Sequence, residues 1–320
     1  MATQLRISEF ERAISLSDVY NDRAEITLHL GDCADLLKQI PAGTAQLVVT
    51  SPPYNIGKSY ERKKSLDKYL EEQARTIRQC ASILADSGSV CWQVGNYVAS
   101  NQEIIPLDIL LYPVFRGCGL KLRNRIVWHF EHGLHCSKRF SGRYETILWF
   151  TKSDDYVFNL DAVRVPQKYP GKKYFKGPRI GQYSGNPLGK NPGDVWGIPN
   201  VKCQHVEKTI HPCQFPVELI QRLVLALTNP SDLVVDPYIG VGTTAVAALL
   251  EGRRAAGADI VPEYIEIARE RVKQAAMGTL KVRPMDRPVY QPPPDTSLTR
   301  IPPGFRVREN PTTPNGGRAP

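Results

Sequence analysis

"VVDPYIGVGTTAVAALLEGRRAAGAD", residues 234–259, decides how this chain folds. An apolar strand stops at Asp236, a turn carrying Gly240 and Gly242 follows, and Thr243-Thr244 open a helix; a second strand then ends at Asp259. Strand, glycine turn, helix and strand make up the unit of a parallel sheet whose ligand site lies at the carboxyl edge. Glycines let the backbone approach a ligand, and the first helical turn offers free N–H groups to a carboxylate or phosphate. The acid closing the second strand is placed to bind ribose hydroxyls. Ala245 stands at the third position of G-x-G-x-x-G, and the absence of a Lys-Ser/Thr pair after the glycines excludes a P-loop.

Upstream, short apolar or β-branched runs predict strands at 25–30, 45–50, 88–94, 125–130 and 146–151, with two more at 232–237 and 255–260. Several are continuously apolar, as strands covered on both faces are. Between them, Leu66, Tyr69, Leu70, Ala74, Ile77, Ala81 and Leu84 keep a three-to-four spacing that predicts a helix over 67–84. A weaker helix at 103–119 is interrupted by Pro106 and Pro113, and further helices are expected at 215–228, 243–252 and 262–276. Strand alternating with helix gives an α/β class with a mostly parallel, doubly wound sheet. Two stretches fall outside that pattern. Residues 161–210 are rich in Gly, Pro, Lys and Tyr, and a loop of that length is usually functional or disordered. Prolines crowd the chain from Pro284 onward, which predicts a mobile tail.

Of 320 residues, 41 are Lys or Arg against 32 Asp or Glu, a net charge of +9. Residues 161–210 hold nine of those cations and three acids, so two-thirds of the excess sits in one stretch. That concentration points to an anionic partner, nucleic acid first. Lys172, Lys173, Lys176, Arg179 and Lys190 are the candidate DNA contacts. Seven cysteines without regular spacing, no signal-peptide core and no run of transmembrane length predict a cytoplasmic protein with reduced thiols and no membrane association.

"TSPPYN" at 50–55, taken with "DPYIGVGTT" at 236–244, resembles the amino-group DNA methyltransferases, which use S-adenosylmethionine to methylate cytosine N4 or adenine N6. Their order, with the tetrapeptide first, a recognition stretch in the middle and the cofactor block late, is similar to the family's permuted β class. "NPGDVWGIP" (191–199), "HPCQFPVELIQRLV" (211–224) and "GADIVPEYIEIARERV" (257–272) agree with it. The resemblance implies a Rossmann-like, circularly permuted methyltransferase fold. It divides the chain into an extension at 1–24, a catalytic half at 25–160, a target-recognition region at 161–210, a cofactor half at 211–280 and a disordered tail at 281–320. It also implies that Asp236, Tyr238, Gly240, Gly242 and Thr243 lie by the methionine part of the cofactor, Asp259 by the ribose and Asp32 near the adenine. Tyr238 and Val241 replace commoner Phe and Ser.

An exocyclic amine on a nucleobase is a weak nucleophile because its lone pair is delocalised into the ring. Acceptors that hold its N–H groups favour a pyramidal nitrogen. The Ser51 hydroxyl and the Pro52 carbonyl, fixed by Pro52-Pro53, supply such acceptors, and preorganised dipoles of this kind stabilise transition states. Tyr54 offers a π face to an extruded base. In the family, Ser at the first position of the tetrapeptide goes with cytosine N4 and Asp or Asn with adenine N6. Ser51 therefore points to cytosine, with adenine as the alternative. The implied partner is double-stranded DNA, a cognate restriction endonuclease being a functional rather than a physical one, for a monomer or homodimer.

Rival chemistries fit less well. Pro212-Cys213-Gln214 is similar to the segment carrying the nucleophile of C5-cytosine enzymes, but here it precedes the glycine block and Cys213 is expected beside the cofactor helix. His129, His132, His135 and Cys136 match no zinc spacing, so no metal is expected. RNA or a protein amide could present a similar amine, but a basic stretch of this size favours duplex DNA.

Overall fold

Helices cover both faces of a central sheet, which is why its strands are apolar on both sides. The computed structural model describes residues 14–57, 61, 63–133, 135–202, 204–294 and 296–304. In chain order the elements are β1 (Leu16–Ser17), β2 (Ile26–Leu30), α1 (Cys33–Gln39), β3 (Ala45–Thr50), α2 (Leu66–Ile83), β4 (Leu84–Val94), β5 (Asn96–Val98), β6 (Ile104–Pro106) and α3 (Leu107–Gly117). After these come β7 (Lys121–His129), β8 (Tyr144–Thr151), β9 (Val195–Gly197), α4 (Val217–Leu227), β10 (Leu233–Asp236), α5 (Thr243–Leu250), β11 (Arg254–Asp259) and α6 (Pro262–Ala276).

The sheet runs β1-β2-β11-β10-β3-β4-β8-β7-β9. All pairings from β1 to β4 are parallel, β8 is antiparallel to both β4 and β7, and β9 is parallel to β7. The late strand β10 thus lies against the early strand β3. From there the chain leaves toward β11 on one side and β4 on the other, the place where open α/β sheets form a crevice.

Alternate side chains of each strand enter different layers. Leu47, Val49, Ile147, Trp149 and Val234 pack with α4, α5 and α6, while Val48, Leu148, Phe150 and Val235 pack with α1, α2 and α3. The second layer is held by Phe115 stacked on Phe150 at 4.6 Å, with Trp92 edge-on to Phe115 at 5.6 Å.

Several boundaries differ from expectation. Helix α1 was not foreseen, because seven residues give too little periodicity to register. The weak helix at 103–119 contracts to α3, and β6 occupies its first positions with Pro106 as the boundary. Residues 14–24 are not a separate extension, since β1 joins the sheet; residues 1–13 lie outside those described. Trp196 sends β9 into the main core, so the end of the basic stretch belongs to the sheet. Residues 281–287 also depart from the expected tail. Arg283 is buried and ion-paired with buried Glu218, while Arg222 reaches Asp286 at 2.5 Å. The described residues fall into two compact units, one ending at Arg287 and the other beginning at Pro288. Within the second, Thr299 Oγ1 donates to the Pro293 carbonyl at 3.0 Å; the end of the expected tail, 305–320, lies outside the described residues.

Candidate active site

Gly31, Ser51, Asp236 and Asp259 sit at the carboxyl ends of neighbouring parallel strands, so their segments meet at one edge. A cavity of about 990 Å³ opens there. Its wall includes Ser51, Pro52, Pro53 and Tyr54 from the turn after β3, together with Tyr238, Gly240 and Thr243 from the turn before α5. Asp32 and Asp259 line it as well. Eleven residues expected at the catalytic and cofactor sites were named from sequence, and nine of them share this one space.

The other two serve the framework. Asp236 is wholly buried beneath the cavity, where its carboxylate accepts from Thr50 Oγ1 at 2.5 Å, Thr244 Oγ1 at 2.6 Å and the Tyr238 N–H at 3.0 Å. Burial nevertheless pushes its pKa up to about 6. Gly242 is outside the wall too. Its φ is +79°, and a Cβ there would lie 2.7 Å from the Ala268 Cβ of α6, so the glycine permits helix packing. Position 242 therefore needs glycine for conformation and clearance together.

Asp259 binds the glycine turn directly. Its Oδ2 accepts from the Gly240 N–H at 3.2 Å and its Oδ1 from the Val261 N–H at 2.8 Å, and burial raises its pKa. Asp32 caps α1, accepting from the Ala34 N–H at 2.8 Å, while its segment still faces the cavity. Tyr238 is anchored by Thr76 of α2 at 3.1 Å. Nearby, the buried polar atoms Gln73 Oε1 and Tyr69 Oη lack hydrogen-bond partners among the described residues, and both side chains belong to the wall.

The sequence reading assigned no site role to three wall or near-wall groups. Glu145, at the start of β8, accepts from the Tyr54 hydroxyl at 3.2 Å and from Gln93 of β4. Burial raises its pKa, opposed by those two bonds and by the charge of Lys202. Its only sequence signal was a lone acid abutting the apolar run that follows. Cys213 lines the same cavity as Tyr54, and not only the neighbourhood of the cofactor helix. His211 packs edge-on to Tyr264 at 4.8 Å, and burial with nearby Lys208 pushes its pKa down to about 4, so it is neutral near pH 7.

The basic candidates lie apart from this cavity's wall. Lys172, Lys173, Lys176 and Arg179 share an exposed two-armed loop joined by the Lys173–Tyr183 bridge, and Lys190 is exposed at a second bridge, to Val165. Lys173 lies over the Tyr183 ring at 5.2 Å and Arg179 over Tyr174 at 5.8 Å. Among the described residues, no helix is long and apolar enough to cross a membrane.

Residues 45–270 match the sequence model of a family described as DNA methylase, of the N6/N4 type. The type II methyltransferase M.BglII of Bacillus subtilis is 52% identical over 241 residues, covering 75% of this chain and 67% of that protein. Among solved structures, the Thermus thermophilus protein TTHA0409 in complex with S-adenosyl-L-methionine superposes with a TM-score of 0.55 at 28% identity, over 78% of this chain and 95% of the other. The PvuII DNA methyltransferase shares the fold, with a TM-score of 0.62 at 19% identity, over 90% and 99% of the two chains.

Proposed function

The chain belongs to the N6/N4 DNA methylase family, and from that premise we propose that it methylates the exocyclic N4 of cytosine within a short duplex sequence. Its methyl donor is S-adenosylmethionine. The observation that carries the reading is the shared cavity: Ser51-Pro-Pro-Tyr54 faces the glycine turn and Asp259 across one space of about 990 Å³.

The wall suits this cofactor. Thr243 opens α5 after a turn in which Gly240 brings backbone to the cavity wall, fitting an amino-acid carboxylate. Asp259 would accept from ribose hydroxyls and Asp32 from the adenine amine, both from the cavity wall. The unpartnered Gln73 Oε1 in the wall adds a polar contact for a polar ligand. Bound there, S-adenosylmethionine supplies a methyl group on a sulfonium, whose departure as a neutral thioether needs no covalent enzyme intermediate.

This chain's residues prepare the acceptor. Tyr54 stacks on the extruded base. Ser51 Oγ and the Pro52 carbonyl accept from the N4 amino group, drawing its lone pair out of conjugation and toward the methyl carbon. The new N–C bond forms as the C–S bond breaks, and the product amine then releases a proton to water. Holding both reactants in line carries much of the remaining acceleration. Lys172, Lys173, Lys176, Arg179 and Lys190 contact phosphates of the duplex. The biological setting inferred is a bacterial restriction–modification system in the cytoplasm, where the methyl mark blocks a cognate endonuclease.

Nucleoside mass spectrometry of unmethylated DNA after incubation with the enzyme and S-adenosylmethionine tests the proposal. N4-methyl-deoxycytidine is expected. N6-methyl-deoxyadenosine would overturn the base assignment derived from Ser51 and establish the adenine alternative.

A further inference from the structure

The Tyr54 hydroxyl stands between two oxygens, Ser51 Oγ at 3.0 Å and Glu145 Oε2 at 3.2 Å. It has a single proton. Glu145 Oε2 also receives the Gln93 amide, so it is an accepting oxygen whether or not the other carboxyl oxygen carries a hydrogen. The tyrosine proton therefore goes to Glu145, and the Ser51–Tyr54 bond must be made by the serine proton. Ser51 Oγ is left with its lone pairs outward and no hydrogen to offer the cavity.

That direction matters for the reaction proposed above, on which this inference rests. An amine that must attack through its lone pair is helped by a neighbour accepting its N–H and blocked by a neighbour donating to that lone pair. An asparagine carbonyl or a carboxylate at this place accepts whatever surrounds it. Serine does either, and needs its direction fixed from outside. We infer that Glu145 is a positioning residue that, through the Tyr54 hydroxyl, fixes Ser51 as a hydrogen-bond acceptor toward the substrate amine.

Glu145 is itself placed by the fold. It is the second residue of β8, opposite Trp128 on β7, and Gln93 of the adjoining β4 donates to the same Oε2 that receives Tyr54. Three strands thus aim one carboxylate oxygen at the tetrapeptide. The requirement is for an acceptor oxygen, and a glutamine at 145 can supply one while a methionine of similar size cannot.

The test compares single-turnover methyl transfer and S-adenosylmethionine affinity in Glu145→Met, Glu145→Gln, Tyr54→Phe and the Tyr54→Phe/Glu145→Met double variant. Loss of one preorganised polar contact predicts at least a ~10-fold slower transfer in Glu145→Met and in Tyr54→Phe. Cofactor affinity should stay within about twofold, Glu145→Gln should recover most of the rate, and the double variant should be no slower than the slower single. Multiplying losses, or a Glu145→Met enzyme at the wild-type rate, would overturn the inference. Should Glu145→Met fail to fold, Tyr54→Phe decides alone: it keeps the ring and lacks only the hydroxyl, and a wild-type rate rejects the chain. Ser51→Ala separates the two readings. A full rate there rejects the acceptor role itself, whereas a slow Ser51→Ala with an unaffected Glu145→Met rejects only the part given to Glu145.

Discussion

Thr50 Oγ1 donates to Asp236 Oδ1 across 2.5 Å, joining residues 186 positions apart at the place where β3 meets β10. One residue further on, the chain enters Ser51-Pro-Pro-Tyr54; beyond Asp236 it enters the glycine turn. The hydrogen bond therefore ties the catalytic segment to the cofactor segment at their roots.

Asp236 carries a testable cost. Its folded pKa is raised from 3.8 to about 6 by burial, so the native state holds the proton more tightly than the unfolded chain. The sign follows: stability from this group is present at low pH and lost as pH rises from about 4 to about 6, by about 3 kcal/mol. In Asp236→Asn, the side-chain oxygen keeps the bonds from Thr50 and the Tyr238 N–H, and the Thr244 hydroxyl turns to accept from the amide. Urea unfolding should show a midpoint at pH 7.5 no lower than wild type and a flatter profile between pH 4 and 6. Asp236→Ala leaves three donors unmatched and should lose about 2–4 kcal/mol.

Asp236 also shows where sequence reading reached its limit. Continuous apolar runs revealed the strands because burial on both faces demands them, and the order of motifs located the cavity. Whether a motif residue faces the ligand or the core depends on which strand lies beside it. That was hidden at Asp236, whose partner Thr50 is remote in sequence, and at Gly242, whose tight neighbour Ala268 is on α6. Glu145 was hidden for the same reason, because its meaning comes from Tyr54 and Gln93 on other segments. Trp196 was missed because a three-residue strand inside a glycine- and proline-rich stretch gives no periodic signal.

The two glycines of the turn should respond differently to a methyl group. At Gly242, with φ +79°, a Cβ would lie 2.7 Å from the Ala268 Cβ and 2.9 Å from its Cα, both on a packed helix. At Gly240, with φ +51°, it would meet only the His211 ring, nearest at Nε2, 3.5 Å away. Gly242→Ala combines backbone strain with overpacking and is expected to lose about 2–4 kcal/mol, against about 1 kcal/mol for Gly240→Ala. Denaturant midpoints of the two variants check the order. Equal losses would mean that α6 moves aside freely.

The exposed loop of Lys172, Lys173, Lys176 and Arg179 gives a prediction in salt. Each phosphate neutralised by a lysine or arginine steepens the dependence of log affinity on log salt by about 0.9. Replacing Lys172, Lys176 and Arg179 together by alanine should reduce duplex affinity at low salt and flatten that slope by about 2–3, with S-adenosylmethionine affinity unchanged. An unaltered slope would remove these residues from the DNA interface.

Asp259 distinguishes a ligand contact from a scaffold contact. Its two oxygens hold the Gly240 and Val261 N–H groups at 3.2 and 2.8 Å, yet the side chain still forms part of the cavity wall. If ribose hydroxyls donate to it, the ionised form binds the cofactor best. Burial raises its pKa, so affinity should fall as pH is lowered through that raised value. Calorimetric titration of wild type with S-adenosylmethionine over a range of pH descending from 7.5 should show this decline. Asp259→Ala should bind at least ~10-fold more weakly at pH 7.5, with no such decline in that range, while losing only about 1–2 kcal/mol of folding stability. Wild-type affinity in Asp259→Ala would confine the carboxylate to holding the turn and move the ribose contact elsewhere in the wall.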